Sequence, residues 1–390
     1  MRTNSIQLPL IPIINELIKN NPKTISLGQG VVFYPPPIEA FNQINSFSQN
    51  PQNNLYQSVQ GIPLLLAEIK HKLAVDNNIL VDDKSSIFVT AGSNMAFMNA
   101  ILAITNPEDE IIILSPYYFN HEMAIRLANC TPIIVETDEQ YQPDINKIVN
   151  AITSKTKAIV TISPNNPTGV VYSKNDLLTI NNICREKGIY HISDEAYEYF
   201  TYNDVKHYSP ASFPNSNNHT ISLFSLSKAY GFASWRIGYM IIPKHLEMGV
   251  KKVQDTILIC PPVISQYGAL GALKTGISYC QKYLLEINKV REIMLNSLRQ
   301  ISDICQVSNS DGAFYFFLKI NTDENSFDLT KKLIENYQVA VIPGTTFGIE
   351  NDCCLRVAYG SLNYETAFIG INRLVEGLSK LTFRDSYKNV

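Results

Sequence analysis

Between residues 87 and 242 the chain alternates short apolar runs with longer stretches whose apolar residues recur at helical spacing. The runs Ile87–Thr90, Ile111–Leu114, Ile133–Glu136, Ala158–Ile162, Ile189–Ile192, Thr220–Phe224 and Gly238–Ile242 are mostly β-branched and bounded by Gly, Pro, Ser or Asn. That pattern reads as strands. Asn94–Ile104, Asn120–Ala128 and Lys174–Lys187 lie between them as helix candidates. Alternating strands and helices predict an α/β fold: a mostly parallel seven-stranded sheet flanked by helices. After Ile242 the pattern changes to long helical stretches, about 245–256 and 263–300. An α+β tail follows, with strands at Ala313–Ile320, Val339–Ile342 and Cys354–Ala358 and helices at Phe327–Tyr337 and Tyr364–Leu381. The tail reads as a smaller second domain. Open parallel sheets bind ligands where strands end in loops, so those loops are where chemistry is sought.

Composition narrows the classes. The 390 residues are comfortable for two domains, and 45% apolar with 17% charged residues is an ordinary globular balance. A net charge of −3 without blocks of like charge gives nucleic-acid binding no electrostatic footprint. The apolar stretch Leu8–Ile14 is broken by two prolines, and no run approaches the ~18 apolar residues of a membrane span. Seven cysteines, an odd number with no C-x-x-C spacing, form neither a disulfide framework nor a zinc site. Reduced thiols and a cytoplasmic location are expected.

Candidate chemistry centres on "SLSKAYGFASWRIGY", residues 225–239, where Lys228 follows a strand and Arg236 stands eight positions later. A lysine at its ordinary pKa of about 10.4 is a poor nucleophile, and desolvation or a nearby cation lowers that value. The aldehyde that most often exploits such an amine is pyridoxal phosphate, which needs a lysine for its carbon, an acid for its ring nitrogen and donors for its phosphate. All three are present at strand ends. Arg236 with the hydroxyls of Ser225 and Ser227 offers phosphate donors. "TAGSNMA" at 90–96 places Ser93 as the N-cap of a helix whose free N–H groups attract anions. Asp194 ends a strand, Tyr197 follows three residues on, and Asn166 lies in "SPNNPTG" at 163–169. Tyr117 or Tyr118 offers a flat face for a ring. Singly each is a turn or a cap. Their order and placement carry the argument.

With those motifs the chain resembles fold-type I pyridoxal-phosphate enzymes of the class I/II aminotransferase family. The matching segments are "NNPTG" at 165–169, "DEAY" at 194–197, "SLSK…WRIGY" at 225–239 and "LRVAYG" at 355–360. Weaker matches are "SLGQG" at 26–30, "YQSVQGIPLLLAEI" at 56–69 and "AGSNMA" at 91–96, so the likeness runs from about 25 to 380. The resemblance implies that Lys228 carries the cofactor as an imine and shuttles the proton between substrate Cα and the cofactor carbon. It implies that Asp194 pairs with the ring nitrogen, and Tyr197 and Asn166 with the ring oxygen. Ser225, Ser227, Arg236 and the Ser93–Asn94 amides would hold the phosphate, and Tyr118 matches the stacking position. Arg356 would clamp the substrate carboxylate, with Gly30 letting the N-terminal segment approach it. Tyr56 would reach the phosphate of a second subunit, since family sites form at a two-fold interface. A homodimer is expected on that ground. The division implied is residues 36–284 as the large domain, with 1–35 and 285–390 as the small one.

The reaction expected is amino transfer between an L-amino acid and a 2-oxo acid. Dicarboxylate-specific relatives add a second arginine shortly before the segment matching "CPPVISQ" (260–266), where this chain reads "KKVQDTIL". With the loop "VVFYPPP" at 31–37, that favours uncharged, aromatic or methionine-like side chains. β-Elimination of sulfur substrates and aminocyclopropane-carboxylate synthesis share the cofactor motifs and stay open. A serine acyl-enzyme reading has S-x-x-K at 225–228 and K-T-G at 274–276, but no S-D-N between them. A non-catalytic regulator would need an appended basic module, and no spare segment of that kind is present.

Overall fold

The structure is a computed structural model, and it describes residues 2–8 and 10–382. Seven strands build the central sheet: β1 (Ser85–Thr90), β2 (Glu110–Ser115), β3 (Thr131–Glu136), β4 (Thr156–Ile162), β5 (Tyr190–Asp194), β6 (Thr220–Ser225) and β7 (Gly238–Pro243). Their spatial order is β1-β7-β6-β5-β4-β2-β3, and β7 alone runs antiparallel to its neighbours. Neighbouring side chains of one strand go to opposite faces. Ile111 and Ile113 enter one core cluster, Ile112 and Leu114 another. Covering both faces explains why these strands read as continuous apolar runs. The edge strand β3 is the exception: Thr131, Ile134 and Glu136 are exposed, and only Pro132 and Val135 are buried.

The second sheet is antiparallel, ordered Ile342–Pro343, Cys353–Ala358, Tyr315–Ile320, Cys305–Val307. The N-terminal segment joins it: Ile25–Ser26 pairs in parallel with Val339–Ala340, and Ala358 donates its N–H to Leu27 O. One core cluster runs from β1, β6 and β7 to this second sheet without a break.

Four expectations need correction. The stretch 263–300 is two helices, Val263–Leu273 and Ile277–Leu298. Gly276 separates them at φ +65°, a conformation that favours glycine. The expected strand Val339–Ile342 splits, its halves pairing in different sheets. The N-terminal apolar stretch forms a helix, Leu10–Asn20, because Pro12 falls in the first turn, where no intrahelical N–H bond is lost. Finally, Ser93 is the first helical residue of Ser93–Ile104, and Gly92 occupies the cap.

Candidate active site

All six strands that run in one direction end at the same edge of the sheet, and β7, being antiparallel, begins there. That geometry gathers loops far apart in sequence around one cavity of ≈ 330 Å³. Ser93 and Asn94 follow β1, Tyr118 follows β2, and Asn166 follows β4. Asp194 ends β5, Ser225 ends β6 with Lys228 just beyond, and Arg236 precedes β7. Arg356 reaches in from the second sheet and Gly30 from the N-terminal segment. Twelve of the thirteen expected site residues thus line one space. Tyr56 does not: it is 81% exposed and outside the lining. Of the two tyrosines left open, Tyr118 lines the cavity, whereas Tyr117 packs over Gly348.

Lys228 is the third residue of a short helix, Leu226–Ala229, in which one free N–H is capped by Ser225 Oγ accepting from Ser227 N at 3.2 Å. Its Nζ donates to Gly30 O at 2.5 Å and lies 5.7 Å from the Tyr197 ring centre. Desolvation, then the cations Arg356 and Arg236, lower its pKa from 10.5 to about 8, with Asp194 opposing them. The amine is therefore far easier to deprotonate than an exposed lysine.

Asp194 is 4% exposed. Its Oδ1 accepts from Ala196 N at 3.1 Å, and its Oδ2 lies 3.1 Å from His121 Nε2. The latter is an ion-pair distance not aligned as a hydrogen bond. His121 stacks on Phe97 at 3.9 Å between centroids and meets Tyr118 edge-on at 5.2 Å. The Tyr118 hydroxyl in turn accepts from Asn120 Nδ2 at 2.8 Å. His121 escaped the sequence reading, although it lies three residues after Tyr118, a spacing that keeps both on one helix side.

Arg356 is 3% exposed. It donates Nη1 to Asn166 Oδ1 at 2.9 Å and Nη2 to Gly28 O at 2.7 Å. Its guanidinium lies between the rings of Tyr315 at 4.5 Å and Phe347 at 5.0 Å. Asn166 Nδ2 donates to Tyr197 Oη at 3.4 Å, and Tyr197 Oη is 2.6 Å from Tyr315 Oη. Tyr315 is the second residue the sequence did not reveal. It had no motif to mark it among the aromatics of "GAFYFF".

At the opposite end, Arg236 donates Nη1 to Ala233 O at 2.9 Å and Nη2 to Ala91 O at 3.3 Å. Gly92 makes this approach possible. It stands at φ +81°, and a Cβ there would lie 2.5 Å from Arg236 Nη2. The donor set fits pyridoxal phosphate: Arg236, two serine hydroxyls and a helix N-terminus for the dianion, a buried carboxylate for the ring, and an amine held partly neutral between them. Among the described residues no His, Cys, Asp or Glu cluster could hold a metal ion.

The comparisons agree with the geometry. A family model described as Aminotransferase class I and II matches residues 22–374. The chain is 30% identical over 390 residues to an aromatic aminotransferase, ISS1, of Arabidopsis thaliana, covering 97% of this chain and 96% of that one. It is 33% identical to a probable aspartate/prephenate aminotransferase of Aquifex aeolicus, over 84% of each chain. A solved structure of a Thermus thermophilus aspartate aminotransferase double mutant superposes with a TM-score of 0.89 at 27% identity, covering 96% of this chain and 98% of that one. With its lysine, carboxylate and anion site converging at the carboxyl edge of a fold-type I sheet, the chain belongs to the class I and II aminotransferases and is a pyridoxal-phosphate-dependent transaminase.

Proposed function

We propose that this transaminase moves an amino group between a 2-oxo acid and an L-amino acid with an uncharged side chain, aromatic or methionine-like. The observation that carries this reading is the division of charge in the cavity. Among its described lining residues the cations are Lys228, Arg236 and Arg356. Lys228 and Arg236 serve the cofactor and Arg356 the substrate α-carboxylate, which leaves no cation from this chain for a distal carboxylate. The same lining carries Ile11, Ile14, Ile18, Phe119 and Ile342, with Asn15, Ser26 and Gln29 as uncharged polar members. An apolar side chain gains by covering that surface, about 25 cal/mol per Å² removed from water. A carboxylate there would lose hydration without a partner.

Bound pyridoxal phosphate supplies an aldehyde that joins amines and a protonated ring that withdraws electrons from the substrate Cα. The chain's residues do the rest. Asp194, buried and flanked by His121, keeps a positive ring nitrogen protonated. Tyr197 and Asn166 would donate to the ring oxygen, and Tyr118 would cover the ring. Ser93, Asn94, Ser225, Ser227 and Arg236 would hold the phosphate. Arg356 turns its planar fork to the substrate carboxylate, with Gly30 close by. Lys228 Nζ, partly neutral near pH 8, would be the group that takes a proton from the substrate Cα and gives one back.

Tyr56 belongs to the same reading through a homodimer. Tyr56 and its neighbour Leu55 are exposed, as are Ile257, Ile259 and Ile264, and Gln254 Nε2 ties the two segments by donating to Val59 O at 2.5 Å. Each copy would present Tyr56 to its partner's phosphate site. The seven cysteines, all without disulfide partners, suit the reducing cytoplasm.

The test is a donor panel against one 2-oxo acid. Phenylalanine, tyrosine and methionine should exceed aspartate in kcat/KM by about tenfold or more, the scale of one unpaired charge. A preference for aspartate overturns the substrate reading. Release of pyruvate and ammonia without a 2-oxo acid would move the chemistry to β-elimination.

A further inference from the structure

We infer that Tyr315 is a positioning residue for the reaction, coupling the carboxylate clamp to the phenol of Tyr197 through the two ends of one side chain. The inference rests on the site reading above and adds a residue to it. Tyr315 starts the central strand Tyr315–Ile320 of the second sheet, opposite Ala358. Arg356 lies two residues away on the partner strand, so both project from the same sheet face as diagonal neighbours. The small Ala358 leaves the guanidinium free to lie on the Tyr315 ring, 4.5 Å from its centre. The hydroxyl of the same ring is 2.6 Å from Tyr197 Oη. Asn166 closes the circuit, accepting from Arg356 with Oδ1 and donating from Nδ2 to Tyr197. Tyr315 is fully buried, with its hydroxyl against Gly30, so it has no freedom to serve the two contacts separately.

The circuit also fixes a proton. Burial raises the pKa of both phenols, Tyr315 to about 12 and Tyr197 well above its ordinary value, so both are protonated at neutral pH. Either phenol can donate across the 2.6 Å contact; with the Arg356 cation over its ring, Tyr315 is inferred to be the donor. Tyr197 Oη then accepts from Tyr315 and from Asn166. Its own proton is left to point into the cavity, where it can be donated to a ligand oxygen. Tyr315 thus acts on the cofactor side through Tyr197 and on the substrate side through Arg356.

Two substitutions separate the two ends. Tyr315→Phe keeps the ring under Arg356 and removes the hydroxyl, whereas Tyr315→Leu removes both. The readouts are the pH midpoint of the visible absorption band of the cofactor-loaded protein and the affinity for 3-phenylpropionate, a carboxylate that cannot react. A donor to the ligand oxygen favours its deprotonated form. Y315F should therefore raise the band midpoint by about half to one pH unit while leaving 3-phenylpropionate binding within about twofold. Y315L should raise the midpoint similarly and weaken that carboxylate about tenfold. Y315F added to Tyr197→Phe should shift the midpoint no further than Y197F alone, because Tyr315 acts through Tyr197. An unmoved midpoint in Y315F, equal carboxylate losses in Y315F and Y315L, or an additive double mutant overturns the inference. Failure of the unaltered protein to load cofactor, or loading that survives Lys228→Ala with its visible band intact, would instead overturn the site reading beneath it.

Discussion

Replacing Arg356 by lysine keeps the charge and removes the fork, which makes it the sharpest test of how the substrate is held. The guanidinium is 3% exposed and offers two outward nitrogens, now donating to Asn166 Oδ1 at 2.9 Å and Gly28 O at 2.7 Å. A lysine supplies a single point donor. It forfeits one charge-assisted bond to the carboxylate, ~2 kcal/mol, and the planar stacking between Tyr315 and Phe347, ~1 kcal/mol. Together that is ~3 kcal/mol, or a loss of about 100-fold in kcat/KM, expressed mainly in KM. Both substrates of a transaminase carry the carboxylate that Arg356 is proposed to serve, so the two half-reactions should suffer by the same factor. Stopped-flow measurement of each half-reaction, with amino acid and then with 2-oxo acid, checks this. A loss under about fivefold, or a loss confined to one half-reaction, refutes the assignment of Arg356 as the shared clamp.

The titration of Lys228 gives a stability prediction with a defined sign. The unfolded amine titrates near 10.5 and the folded one near 8, so between those values the unfolded chain holds a proton that the folded chain lacks. Stability of the cofactor-free protein should fall as pH drops from 10.5 towards 8 and stay at the lower level beneath it. Lys228→Met should therefore stabilise that form at pH 7 by ~1–2 kcal/mol, after allowance for water in the cavity, and the gain should vanish towards pH 10. Thermal melts at both pH values decide it, and a gain that grows with pH contradicts the reasoning. His121→Phe preserves the stack on Phe97 but removes the nitrogen 3.1 Å from Asp194. It should lower kcat about tenfold with cofactor loading retained, and unchanged kcat at saturating substrate would argue against it. Gly92→Ala places a Cβ against Arg236 at a φ of +81°. Equilibrium titration with pyridoxal phosphate should show affinity weakened about tenfold or more, and wild-type affinity would mean Arg236 is not the anchor.

Most of the site was legible because most of it is local. A strand end followed by a loop is visible in sequence, and five such ends, with the turn entering β7, hold Ser93, Tyr118, Asn166, Asp194, Lys228 and Arg236. The antiparallel direction of β7 was not visible, yet it alone brings Arg236 to the shared edge. Pieces that depend on tertiary register were harder. Tyr315 owes its role to facing Ala358 beside Arg356 across an antiparallel pair, a relation between residues some 40 positions apart that no short motif encodes. The split of 339–342 between two sheets has the same origin: a continuous apolar run says nothing about changing partners at Val341. The N-terminal helix was obscured by treating Pro12 as a breaker irrespective of position. In a first turn proline is compatible with the helix, and here that helix supplies Ile11, Ile14, Asn15 and Ile18 to the cavity wall.

The placement of the cations follows from the same architecture. Arg356 and Arg236 both lower the proton affinity of Lys228, and of the two only Arg356 is buried, where an unpaired guanidinium near an amine is costly. They are tolerable because each is held by neutral oxygens: Gly28 O and the Asn166 amide for Arg356, Ala233 O and Ala91 O for Arg236. Those acceptors are neutral, so they orient the guanidiniums without cancelling their charge. A carboxylate partner in either place would have raised the Lys228 pKa and occupied the fork that an anionic ligand needs. Asp194, the one carboxylate lining the cavity among the described residues, points instead towards His121, on the side proposed for the ring nitrogen. The cavity is thus built with unspent positive charge at both ends and negative charge in the middle. A ligand with a phosphate at one end, a carboxylate at the other and a basic nitrogen between them is the one that neutralises it.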